Sequence, residues 1–222
     1  MNRASLLLIL GLAVAGRAAE KSGVVVDKEK RTVTIDAKVA PRKINDPKYM
    51  NMIYPIEVIA CWAYPKGQKA HETVVTIEAK PGEVHKALES LGLKPGKPIV
   101  GEVKTKAEGP ALNVYIEVPT STGTRRVPVE RTLIDPRSGK PMPKVKWIFT
   151  GSALKKLDPQ KDEMVYGADL TGTLIAIFPV TDETVMQTSL TMKEEKYLKL
   201  ETDTKILPKE GTPVKLVLEA AK

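Results

Sequence analysis

One cysteine, two histidines and only 5% aromatic residues stand in a chain of 222 residues, and each scarcity excludes something. With Cys61 alone, no internal disulfide can form. For the same reason a single chain cannot hold a cysteine-ligated iron–sulfur cluster or a multi-cysteine zinc site. The sequence has no G-x-S-x-G nucleophile elbow, no phosphate loop and no dinucleotide fingerprint, so hydrolase and nucleotide-enzyme readings lack support. Nothing beyond the N-terminus approaches the ~18 consecutive apolar residues that a membrane helix needs.

What is present begins with an address. Arg3 precedes an apolar run from Leu6 to Ala15, too short to span a bilayer, and Gly16-Arg17-Ala18 supplies small residues before a cut. The sequence therefore predicts a signal peptide over 1–18 and one β-rich domain over 19–222, periplasmic or secreted, with no transmembrane anchor after cleavage. The formal charge of +8 is spread among interleaved acidic residues. In an exported protein this balance favours anionic envelope polymers, lipid head groups or other envelope proteins as partners over nucleic acid.

Short Val-, Ile-, Thr- and Pro-rich runs predict strands. Gly23–Ala37 reads as a hairpin turning at Asp27–Lys30. Ile53–Leu93 reads as the central unit: a strand to Ala63, a turn at Pro65–Gln68, a return strand Ala70–Ala79, then a helix. In that antiparallel register Trp62 lies opposite His71. Pro81 opens the helix, Val84, Ala87, Leu88 and Leu91 form its apolar stripe, and Gly92 ends it. Further strands are expected at Ile99–Val103, Leu112–Val118, Arg125–Glu130 (an edge, because of Pro128), Val145–Phe149, Thr173–Phe178 and Thr212–Leu218. Asp158–Glu163 reads as a turn between two weak strands, and Met192–Lys205 as charged surface. The predicted fold class is α+β: a mainly antiparallel, sandwich-like single domain with one clear helix packed on the central hairpin. Subunits could pair through the edge near Pro128 or through the C-terminal strand.

Candidate chemistry falls into three groups. His71 and His85, with Glu72 or Glu57, supply the residue types of a zinc or iron(II) triad, although His71 and Glu72 as strand neighbours would face opposite ways. Against this stands the reading that both histidines are structural. Trp147, Gly151, Ser152, Tyr166 and Asp169 suggest a shallow polar pocket beside an indole, or ordinary turn chemistry. Cys61 reads as a small buried strand residue and not as a nucleophile. No residue is assigned as catalytic, and enzymatic activity is left open, with the balance against it.

The order IEV…KGQKAHETVVTIEAKPGEVHKALESLGL, VPVERTLIDPRSGKPM, WIFTGS, YGADLTGTLIAIF and LPKEGTPVKLVL resembles the YdjY-domain family. The resemblance spans about Val24 to Leu218. Its more specific parts are Lys69–Thr73, the helix with His85 and Leu88, and Phe149–Ser152. It implies an exported bacterial protein, of a kind found in planctomycete-type genomes, and lends no catalytic residues because the family has no assigned activity. One branch is labelled ferredoxin-like, but a cluster would need several cysteines and Cys61 stands alone. Together these features predict a non-enzymatic binding or structural protein of the envelope without a cofactor. A metal protein using His71 and His85, and a binder of anionic polymers, are the alternatives.

Overall fold

The computed structural model describes residues 23–221; the predicted signal peptide lies outside them. The first half of the chain contributes β1 (Val24–Asp27), β2 (Thr32–Val39), β3 (Val58–Trp62), β4 (Thr73–Ile77), α1 (Pro81–Ser90), β5 (Ala111–Thr120) and β6 (Gly123–Pro128). The second half contributes β7 (Leu133–Asp135), β8 (Lys140–Pro141), β9 (Trp147–Phe149), β10 (Leu154–Lys156), β11 (Met164–Tyr166), α2 (Ala168–Thr171), β12 (Thr173–Ala176), β13 (Met186–Thr188), α3 (Met192–Tyr197), β14 (Glu201–Thr202) and β15 (Pro213–Ala220).

The sandwich expectation is wrong: the main sheet closes on itself. Its strands follow the order β2-β15-β5-β9-β13-β12-β3-β4, and β4 returns to β2, giving an eight-stranded barrel. Closure satisfies the ladder groups that an open sheet would leave at its edges. Two strands stand outside the ring, β1 on β2 and β6 on β5. The predicted first hairpin is therefore present, and the Pro128 segment is an edge as expected. The C-terminal strand is not an edge, because β15 pairs with both β2 and β5. Nor does Ile99–Val103 form a strand.

The central unit is corrected as well. Strands β3 and β4 are parallel neighbours, with Val58 against Thr73 and Trp62 against Ile77, so Trp62 does not oppose His71. The chain between them returns along the barrel through a cis Tyr64–Pro65 peptide and a 3-10 turn at Ala70–Glu72. The Pro and Gly that suggest a hairpin turn belong to this crossover. Parallel strands buried on both faces read as continuous apolar runs. Val58, Ile59, Ala60 and Cys61 are all fully buried. Ile59 and Ala60 of β3 join the barrel core. Val58 and Cys61 join a smaller cluster with Ile44, Tyr49 and Ala70.

Within the barrel, Val33, Ile35, Leu216, Leu218, Ile116, Trp147 and Phe149 fill the centre. Each fully buried large apolar side chain contributes about 1.5–3 kcal/mol. Helix α1 forms where the sequence predicts it, with Pro81, Val84, Ala87 and Leu88 buried and Gly92 just beyond its end at φ +81°. It sits over one end of the barrel and touches β1, β2 and α2, and the central hairpin on which it was expected to pack does not exist. Helix α3 falls in the stretch read as featureless surface. Thr191 and Glu194 form a capping box at its start, an S/T-x-x-E pattern visible in the sequence. Among the described residues no helix is long and apolar enough to cross a membrane.

Candidate functional site

Strand direction assigns the polar candidates to the two ends of the barrel. Strands β3 and β4 run together, so Glu57 and Glu72, which precede them, lie at one end. Trp62, Glu78 and α1, which follow them, lie at the other. His71 and His85 are thus separated by the length of β4, roughly 13 Å for four residue steps. Zinc–nitrogen bonds of ~2 Å cannot bridge that distance, so the structure does not bring His71 and His85 together as the shared metal site that the alternative reading needs. Among the described residues no three His, Cys, Asp or Glu side chains are grouped to hold an ion.

At the α1 end the structure gathers His85, Gly151, Ser152, Tyr166 and Asp169. The Tyr166 hydroxyl lies 2.7 Å from His85 Nδ1 and accepts a hydrogen bond from the Ser152 backbone N–H at 3.2 Å. His85 Nε2 lies 3.5 Å from Glu89. Burial holds the His85 imidazole below its ordinary pKa, and burial pushes the Tyr166 phenol up. The neutral ring therefore accepts from Tyr166 O–H and turns its Nε2–H toward Glu89. The Ser152 hydroxyl accepts from the Ala168 N–H at 2.9 Å. Asp169 accepts from the Gly82 N–H at 2.7 Å, capping α1 from 87 residues away. A Cβ at 82 would stand 2.5 Å from the Asp169 carboxylate, so a larger residue there would push this cap aside. Each polar group in the set is satisfied by another, and the set fastens α1 to the barrel rim.

Trp147 does not belong to this cluster. It is buried at the start of β9 and donates its indole N–H to Glu130 at 2.9 Å. The indole that does lie beside the Tyr166–Gly172 segment is Trp62, whose backbone N–H bonds the Gly172 carbonyl at 2.9 Å.

At the opposite end His71 and Glu72 are in contact, with Nε2 to Oε1 at 3.2 Å. The opposed facing expected of strand neighbours fails because both residues sit in a 3-10 turn. Lys69 completes the group, 2.7 Å from Glu72 and 3.1 Å from Glu57. Burial alone would raise the Glu72 carboxyl, but hydrogen bonds from His71 and Lys69 hold it down at about 2. Glu57 moves the other way, raised by burial and by the neighbouring Glu72 charge. The His71 ring stacks on Tyr49 at 4.5 Å and meets the edge of Tyr54 at 5.0 Å. Arg42 donates to the Tyr54 carbonyl through Nη2, while its Nη1 and the Nδ1 of His71 are buried without protein partners. Sequence spacing could have found Lys69, three residues before Glu72. Arg42, Tyr49 and Tyr54 carry no local signal.

An open concavity lies elsewhere. A groove of about 670 Å³ crosses the outer face of β4, β2, β15 and β5 and reaches β6. Charges of both signs cross it: Glu78 pairs with Lys38 at 3.4 Å, Lys215 pairs with Asp36, and Glu117 pairs with Arg126 at 2.8 Å. The rest of its lining is mostly apolar, including Ala63, Ala79, Pro119 and Pro213, with Thr76 and Thr124 between them.

No curated protein and no solved structure matches the chain. The family model of the YdjY domain matches residues 24–219. The match spans the barrel from β1 to β15 and both end clusters, and the chain belongs to the YdjY domain family.

Proposed function

We propose that this is a non-enzymatic binding protein of the bacterial envelope, and that its ligand is an extended peptide segment lying in the groove on the outer face of the barrel. The apolar run Leu6–Ala15 with the small residues after it supports export. The groove carries the binding reading. Its lysines each face a carboxylate, so an all-anionic polymer would meet Asp36, Glu78 and Glu117 along with Lys38 and Lys215. No aromatic ring lines it, so a sugar has no stacking platform. A polypeptide offers alternating amides, apolar side chains and charges of both signs, which match this lining. The His85 cluster supports the same reading, because its hydrogen bonds are spent on fastening α1 to the barrel rim.

The test is residue-resolved binding. Purified protein is titrated with mixed-charge decapeptides, with soluble glycan fragments and with polyphosphate, and amide chemical shifts are followed. Saturable shifts at Asp36, Lys38, Thr124 and Lys215 with peptides alone are expected. Shifts there only with glycan or polyphosphate, or none with any probe, would overturn the reading.

A further inference from the structure

We propose that the loop carrying Met50, Met52 and Ile53 is a docking tip for an anionic lipid surface, its apolar side chains entering the acyl region and the lysines around it meeting the head groups. The proposal stands apart from the groove, which none of these three residues lines.

The loop belongs to a strap laid on the outside of β3. Ile44 and Tyr49 fasten it, buried against Val58, Cys61 and Ala70. Asp46 caps a 3-10 turn by accepting the Lys48 N–H at 2.7 Å, and the N–H groups of Met50 and Met52 bond the Pro47 and Tyr49 carbonyls. So firm a strap turns Met50, Met52 and Ile53 outward nonetheless, 69%, 51% and 48% exposed. Met50 and Asn51 hold φ +48° and +52°, a left-handed backbone that L side chains rarely adopt. Apolar exposure gathered in one place and rimmed by polar residues marks an interaction surface.

The charges around the tip select the partner. Lys43, Lys48 and Lys66 are exposed and, among the described residues, form no ion pair. Tyr64 holds the crossover that carries Lys66 against the strap, through its hydroxyl on Asp46 and its ring 6.0 Å from that of Tyr49. Over residues 43–54 and 63–68 these three lysines stand against Asp46 alone, a surplus of two positive charges. The carboxylates farther along, Glu57 and Glu72, are turned to Lys69 and His71. A second copy would bring like charge against like charge, which disfavours self-association through the tip. Lipid phosphates supply the missing anions, and unbranched methionine, with no polar hydrogen to satisfy, suits a fluid partner. Apolar tip, tyrosine and then lysine is also the depth order of a bilayer interface.

The test is vesicle flotation of the chain from Ala19, which keeps every described residue and lacks the apolar run Leu6–Ala15. Vesicles are phosphatidylcholine alone or an equimolar mixture with phosphatidylglycerol. Binding to the anionic vesicles is expected, weakened by salt, with little to the neutral ones. Met50→Ser/Met52→Ser/Ile53→Ser should bind about ten-fold more weakly, with unchanged melting because the three side chains are exposed. Each of Lys43→Gln, Lys48→Gln and Lys66→Gln should lower binding about five-fold. A dye attached through Met50→Cys, the native Cys61 being buried, should report an apolar environment on anionic vesicles. Anionic-vesicle binding that the serine variant leaves intact would show adsorption by scattered lysines and overturn the proposal. Binding to neither vesicle would overturn it too. A dimer that the serine variant dissociates, or an acidic protein retained by the wild type alone, would in that case give the tip to a protein partner.

Discussion

His71 and Glu72, consecutive in sequence, turn their side chains to the same side and meet at 3.2 Å. A 3-10 turn makes this possible where a strand would forbid it. The contact keeps the Glu72 carboxylate ionised in a nearly water-free position, with Lys69 on its other oxygen.

Glu72→Gln should therefore cost about 2 kcal/mol at pH 7. The full shift of Glu72 would imply roughly 3 kcal/mol, but the opposite movement of Glu57 offsets part of it. Because the folded carboxyl sits below its usual value of 4.5, its contribution is complete above that pH and is lost as pH falls toward about 2. Urea unfolding at pH 7, 5 and 3 should show an acid-dependent loss in the wild type that shrinks in the variant. Equal pH slopes would contradict the pairing.

Tyr166→Phe should loosen α1 without unfolding the barrel. It removes the hydroxyl that joins His85 to the Ser152 backbone, a loss of about 1–2 kcal/mol. Amide exchange should quicken in residues 82–90 and not in β15. In the wild type, His85 should titrate below 6.5, so that acidification through 6.5 destabilises the fold as the unfolded chain takes up the proton first. A proton-NMR titration of the imidazole checks the direction.

Gly172→Ala should be among the most damaging single-methyl additions. Residue 172 has φ +72°, and a Cβ there would stand 2.5 Å from the Trp62 indole. Left-handed strain and overpacking together predict a loss of about 2–4 kcal/mol. Tryptophan fluorescence should shift in the same variant, since only Trp62 and Trp147 report.

Cys61 should resist thiol reagents in the native state. It is fully buried, and burial pushes its thiol up to about 12. Maleimide labelling should follow the rate of global unfolding and accelerate with urea. Rapid native labelling would mean that the crossover 63–72 opens on its own.

The elements governed by local pattern were legible: the β1–β2 hairpin, α1 with its Gly92 stop, and the alternation of β5. Ring closure was not, because β2–β15 and β3–β12 join residues far apart in the chain and no local period encodes such pairing. The parallel β3–β4 pair left a trace in the apolar run Val58–Cys61 and in the β-branched run Thr73–Ile77, whose lack of polar alternation argues against a half-exposed hairpin. Of the candidate residues, five of the eight meet at the α1 end, His71 and Glu72 meet at the other, and Trp147 is turned inward to Glu130. Composition flagged these residue types correctly, but only the strand directions decide which of them share an end.

Strand β15 sits between β2 and β5, so the last strand of the ring to leave the ribosome is flanked by the first and the fourth. Until residues 213–220 arrive, the facing borders of β2 and β5 lack their hydrogen-bonding neighbour, and the partly made chain can form fragments but not the barrel. Completion must therefore wait until β15 has been made. It also makes loss of the final ten residues a defect of the whole fold, exposing two strand borders for pairing with other chains.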